Sequence, residues 1–177
     1  MQSKSKKQKN AFLLNPKNAE GFTLVELLIV IAIMAIIATI TLPNFFPSRY
    51  KYSVTKDAEG MVYNIRNAVT NSQSQLYGSR WGIHLGSSTS TSGYFYETWY
   101  GTSTYAYGTV YKHIGLDSGV TYSGLPLGSS MDICFAQVSG VPVNCGTGVS
   151  TSTSVTLTSP TGFTTTIAIN TNGSISY

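Results

Sequence analysis

Residues 22–42, FTLVELLIVIAIMAIIATITL, run for 21 positions with a single charged side chain, Glu26. As a helix rising 1.5 Å per residue, that run reaches about 30 Å, the thickness of a bilayer's hydrocarbon core. Five of the 11 basic residues, Lys4, Lys6, Lys7, Lys9 and Lys17, precede it, and none follows until Arg49. Basic residues stay on the cytoplasmic side, so the amino end is expected inside and the bulk of the chain outside. A secretory signal peptide fits less well. The apolar run is too long, and Leu42-Pro43-Asn44-Phe45-Phe46 offers no small-residue cleavage site.

The net charge of +4 suggests a binder of nucleic acid or of a membrane surface, but its distribution argues otherwise. The five leader lysines face only Glu20, and from Phe22 onward six Lys and Arg balance six Asp and Glu. The excess therefore belongs to a leader, and nucleic acid is not an expected partner. Two Cys and two His are too few for a disulfide-rich scaffold or a four-cysteine zinc site. His84 and His113 stand isolated in the sequence, and no G-x-S-x-G, H-E-x-x-H or Walker pattern occurs. A serine–histidine pairing with Asp117 or Asp132 would be a chance assembly. No catalytic residue, metal or cofactor is expected.

Glu26 sits near one end of the apolar run, where a carboxylate costs a few kcal/mol in lipid and needs a partner. Were the chain to begin at Phe22, Glu26 would be its fifth residue, one helical turn from a free amine. The amine of a neighbouring copy could then neutralise it.

Gly21-Phe22-Thr23-Leu24-Val25-Glu26, followed by LLIVIAIMAIIATITLPNF, resembles the processing signal of type IV pilins and type II secretion pseudopilins. The resemblance covers about 25 residues and is specific in its Gly, Phe, Glu, apolar helix and Pro43. It implies cleavage between Gly21 and Phe22 by a membrane-embedded prepilin peptidase, and N-methylation of Phe22. It also implies an assembly salt bridge through Glu26 and an inner-membrane assembly platform as partner. Two departures are a long leader and an acidic residue, Glu20, directly before Gly21.

Beyond the apolar run, Tyr50, Val54, Ala58, Met61, Ile65, Ala68 or Val69, Ser72 and Leu76 recur at steps of three and four. That spacing predicts an amphipathic continuation of the helix to about Tyr77, ending at Gly78. Pro43 should kink the helix, because its ring removes a backbone donor and clashes with the preceding turn.

From Gly78 the chain is rich in Gly, Ser, Thr and Tyr. Strand-like runs cover 81–85, 93–100, 105–111, 120–122, 131–138, 154–158, 164–170 and 173–176, separated by turn residues. Thr171-Asn172-Gly173 suits a two-residue hairpin turn. The Ser and Thr runs at 87–92 and 150–154 read as exposed loops, with glycosylation the less favoured alternative. Cys134 and Cys145 lie outside the cytoplasm in this topology, where a disulfide persists. Two buried thiols are the alternative. The aromatic run from Tyr94 to Tyr111 reads as half-buried sheet or subunit packing, or as a stacking surface for sugars or bases.

The expected fold class is α+β: a long amino-terminal helix packed on a carboxyl-terminal antiparallel sheet. The expected divisions are a leader at 1–21, a transmembrane and assembly helix at 22–42, its amphipathic continuation at 43–77, and an extracytoplasmic β-rich domain at 78–177. The closing TGFTTTIAINTNGSISY, and more weakly Arg80-Trp81-Gly82-Ile83-His84, resemble minor pilins of the FimT type and the H-type pseudopilins. These resemblances imply a structural, non-enzymatic subunit held in membrane lipid until it joins other pilin or pseudopilin subunits. A DNA-uptake minor pilin and a major pilin remain as alternatives, although the closing Asn172–Tyr177 segment has no Lys or Arg.

Overall fold

The computed structural model describes residues 21–89 and 93–177, with the side chains of 40–47 left out. The chain divides at Pro43 into two units. One helix, α1, is assigned over Leu24–Gln73.

In the first unit every described residue from Gly21 to Thr39 is exposed. α1 is assigned without a break through Pro43, where a bend is expected, and the side chains there are among those left out.

The second unit holds the core. Val54, Ala58, Met61, Ile65, Ala68 and Ser72 are at most 1% exposed, so the predicted stripe is the buried face of α1 as far as Ser72, whereas Leu76 lies beyond the helix and is 39% exposed. It packs into one cluster with Trp81, Ile83, Leu85, Tyr96, Ile133, Phe135, Leu157 and Ile167. Truncating a residue such as Ile65 to alanine would cost about 2–5 kcal/mol by the usual cavity argument. The one polar member of the stripe is satisfied: Ser72 Oγ donates to the Phe135 carbonyl at 2.9 Å.

The strands are β1 Arg80–Ser88, β2 Gly93–Gly101, β3 Thr109–Gly115, β4 Thr121–Tyr122, β5 Ser130–Phe135, β6 Pro142–Val143, β7 Thr153–Thr158, β8 Thr164–Ile169 and β9 Ile175–Ser176. Every pairing is antiparallel. The α+β expectation holds, but the described strands form two sheets, ordered β3-β2-β1-β5-β6 and β4-β7-β8-β9. Alternation puts Trp81, Ile83 and Leu85 of β1 on the helix side, and Gly82, His84 and Gly86 on the other. The glycines are required there: a Cβ on Gly82 would meet the Trp99 ring at 2.7 Å, and one on Gly86 the Phe95 ring at 2.5 Å.

Several boundaries differ from expectation. The helix stops at Gln73, not near Tyr77, and reverses through left-handed Gln75 and Tyr77 before Gly78. Side chains hold that reversal: Trp81 Nε1 donates to the Leu76 carbonyl and Gln137 Nε2 to that of Gly78. Residues 105–107 form a 3-10 turn, and the strand expected at 105–111 runs over 109–115 instead. The strand expected to reach Val138 ends at Phe135. Val138 turns to φ 68°, its N–H donating to the Ser72 carbonyl at 3.2 Å. Ser87 and Ser88 belong to β1, and Thr153 and Ser154 to β7, so the Ser and Thr runs are only partly loops. The closing hairpin has a three-residue loop: Asn170 N–H donates to the Ser174 carbonyl, and Gly173 takes φ 83°.

Cys134 and Cys145 are joined by a disulfide with a Cα–Cα distance of 5.2 Å. It closes the loop carrying β6, whose Val143 pairs with Cys134. Reduction should lower the stability of the folded chain by about 2–3 kcal/mol, mainly by freeing the unfolded state. A denaturant melt before and after reduction tests this, and coincident curves would contradict it.

Candidate functional site

The amino-terminal motif is built around the first turn of α1. Thr23 is the cap residue, and Leu24, Val25 and Glu26 are the first three helical positions. Glu26 N–H donates to Thr23 Oγ1 at 3.2 Å, while Thr23 N–H and Oγ1 each donate to Glu26 Oε2 at 3.1 Å. This is a capping box, in which a Thr and a Glu three residues on satisfy each other's backbone donors. The carboxylate also lies at the positive end of the helix dipole. Thr23 therefore belongs to the site. The sequence reading passed over it, although Thr-x-x-Glu before an apolar run is a readable signal.

Gly21 and Phe22 precede the cap. A Cβ on Gly21 would meet nothing within 4 Å, so the described chain places no demand for glycine there. Phe22 is 81% exposed. Leu24, Leu27, Leu28, Ile31, Met34 and Ile36 are also exposed, so the helix presents apolar side chains on all sides. Among the described residues no helix is long and apolar enough to cross a membrane. Within the apolar run the described side chains stop at Thr39, whereas the run itself continues to Leu42.

A second polar constellation lies on the outer face of the first sheet. Register sets His113 of β3 beside Glu97 of β2, Glu97 beside His84 of β1, and His84 beside Asp132 of β5. His84 Nδ1 is 2.6 Å from Asp132 Oδ1, and His113 Nδ1 is 2.6 Å from Glu97 Oε1. Tyr105 donates its hydroxyl to Glu97 Oε2, and its ring stacks on His84 at 3.7 Å. The histidines that look isolated in sequence are thus each paired with a carboxylate. Their partners lie 16 and 48 residues away, so only strand register reveals them. Among the described residues no group of three His, Cys, Asp or Glu is arranged to hold a metal.

Burial alone would raise the Glu97 carboxyl. The hydrogen bonds from Tyr105 and His113, with the histidine charges, outweigh it and hold Glu97 below its ordinary value of 4.5. A depressed carboxyl stabilises the fold above its unfolded-state pKa, and that contribution is lost as pH falls through the folded value. Glu97→Gln should therefore cost about 1–2 kcal/mol near pH 6. The difference from wild type should shrink in acid below 4.5. Denaturant melts of both forms at the two pH values check this; an equal gap at both would contradict it.

Comparison with known proteins covers a minor part of the chain. A family model for the prokaryotic N-terminal methylation motif matches residues 16–42. The type IV wide pilus major component PilA4 of Thermus thermophilus is 54% identical over 39 residues, covering 22% of this chain and 30% of that protein. The type IV major pilin protein PilA of Myxococcus xanthus is 54% identical over 56 residues, covering 30% of this chain and 25% of that protein. The chain thus spans less than a third of the length of these relatives. No solved structure matches significantly. The segment is that of a protein carrying the N-terminal methylation motif. By that motif and these two relatives the chain is similar to type IV pilins over less than a third of its own length.

Proposed function

We propose that this chain is a non-enzymatic structural subunit of a type IV pilus or a related secretion pseudopilus. The observation that carries the reading is the start of α1, apolar on every side and exposed from Leu24 to Thr39. A helix hydrophobic all round is stable only when lipid or other helices surround it. Lipid before assembly and neighbouring subunits afterwards would supply those surroundings in turn.

In this reading a prepilin peptidase removes residues 1–21 and Phe22 becomes the methylated terminus. Residues 22–42 span the inner membrane, with the β-rich domain at 78–177 outside, and an assembly platform extracts the subunit into a filament. Glu26, already oriented by Thr23, meets the terminal amine of an adjacent copy. The cap leaves Glu26 Oε1 for that second partner, since both capping contacts to the carboxylate, from Thr23 N–H and Oγ1, use Oε2. The extracytoplasmic setting agrees with the disulfide between Cys134 and Cys145.

The closing hairpin's resemblance to minor subunits favours a minor role. Copy number of the chain in purified filaments tests it: a small fraction of total subunit is expected, and a dominant share would make this the major pilin. DNA capture has weak support. Among the cations of the second unit, Lys56 pairs with Asp117 at 3.1 Å, Arg80 donates to the Cys145 carbonyl, and Lys51 lies over the Phe163 ring. Titration of the mature chain with duplex DNA should show weak binding with a shallow salt slope. Submicromolar binding that collapses on adding salt would favour DNA uptake instead.

A further inference from the structure

We propose that the cleft between α1 and strand β3 binds a neutral oligosaccharide. The cleft holds about 360 Å³, within the usual range for small-ligand sites. Tyr63, Asn67 and Asn71 line its helical wall at i, i+4 and i+8, one stripe of α1. Tyr111 and Lys112 line the strand wall, and Thr98 of β2 the floor.

Three observations point to a ligand and to its chemistry. Thr98 is only 4% exposed, and its Oγ1 is buried with no hydrogen-bond partner among the described residues. Such a hydroxyl costs stability until something supplies its bond, and the cleft is where a partner can be added. The second observation is a β-bulge. Thr98 pairs with Lys112 and Trp99 with Val110, so Tyr111 is an extra residue in β3. A bulge of this kind re-aims side chains, and here two consecutive ones, Tyr111 and Lys112, enter the same cleft. The third is the lining itself. Tyr63 and Tyr111 are exposed rings on opposite walls, and Tyr111 is steadied by edge contact with Trp81 at 5.1 Å.

Apolar ring faces flanking carboxamides and a hydroxyl match a sugar, which presents C–H faces and a rim of hydroxyls. Carboxamides both donate and accept, so they can pair with hydroxyls in either sense. No carboxylate lines the cleft and Lys112 is its one charge, which disfavours a polyanion such as nucleic acid. The site lies within the second unit and does not depend on the filament reading, so either could fail without the other.

The test uses the full chain in micelles of a detergent without a sugar headgroup, titrated with maltotriose, cellotriose and chitotriose. Saturation-transfer NMR and tryptophan fluorescence are the readouts. At least one trisaccharide should bind with Kd below about 1 mM. Tyr111→Ala should weaken it about tenfold, and Thr98→Val about fivefold, by removing a stacking face and a hydrogen bond. Tyr107→Ala, at a ring 83% exposed and outside the cleft lining, should bind as wild type. Asn71→Ala, at a half-buried position, guards against a folding artefact in Thr98→Val and should also weaken binding. The proposal is overturned if none of the three sugars binds with Kd below about 1 mM. It is equally overturned if Tyr111→Ala and Asn71→Ala bind as wild type.

Discussion

Gly21→Ala is expected to leave the chain uncut, with Met1–Gly21 still attached and the protein retained in the membrane. The expected effect is near all-or-none. In the described structure an added Cβ at Gly21 has nothing within 4 Å, so the substitution carries no folding penalty of its own. A loss of processing would therefore report recognition by the peptidase, where an added methyl blocks close approach of enzyme to backbone. Intact mass of the membrane-fraction protein gives the answer. Efficient cleavage of the variant would separate this chain from the processing route its motif implies.

Glu26 carries the second large effect. Its carboxylate has two roles in this account: it caps α1 through Thr23, and it neutralises an amine on a neighbour. Glu26→Leu removes both, and filament incorporation should fall by two orders of magnitude or so, since an amine buried without its partner costs about 3–5 kcal/mol. Membrane insertion should be undiminished, because a charge has been taken out of an apolar segment. Glu26→Gln separates the roles. The amide oxygen can still accept from the Thr23 N–H, but the charge is gone, so incorporation should fall nearly as far as in Glu26→Leu. Thr23→Ala loses only the cap, worth about 1 kcal/mol. Wild-type incorporation of Glu26→Gln would leave capping as the residue's whole contribution.

The helical half of the fold was legible because its signal is local. Val54, Ala58, Met61, Ile65, Ala68 and Ser72 recur with the helical period, and one face of α1 is buried as that period requires. The sheets were legible as strands but not as an arrangement. Nothing near Glu97 in sequence says that it will lie between His84 and His113, and nothing in the strand runs says that β4, β7, β8 and β9 form a sheet of their own. Tyr105 shows tertiary contact overriding propensity. An aromatic run with strand character gives way to a 3-10 turn, which places Tyr105 over His84 and onto Glu97. The two-residue β6 pairs with β5 inside the loop that the disulfide closes, a constraint invisible to local pattern. In the amino-terminal site Gly21, Phe22 and Glu26 were readable as a motif, whereas Thr23 needed its hydrogen bonds to be seen.

The most direct measurement is the mass of the amino-terminal peptide of this chain recovered from purified pilus or pseudopilus filaments. The account predicts a peptide beginning at Phe22, heavier by one methyl group, in the filament fraction. A chain that keeps Met1–Gly21, or that is absent from filaments while its processed form accumulates elsewhere, would contradict it.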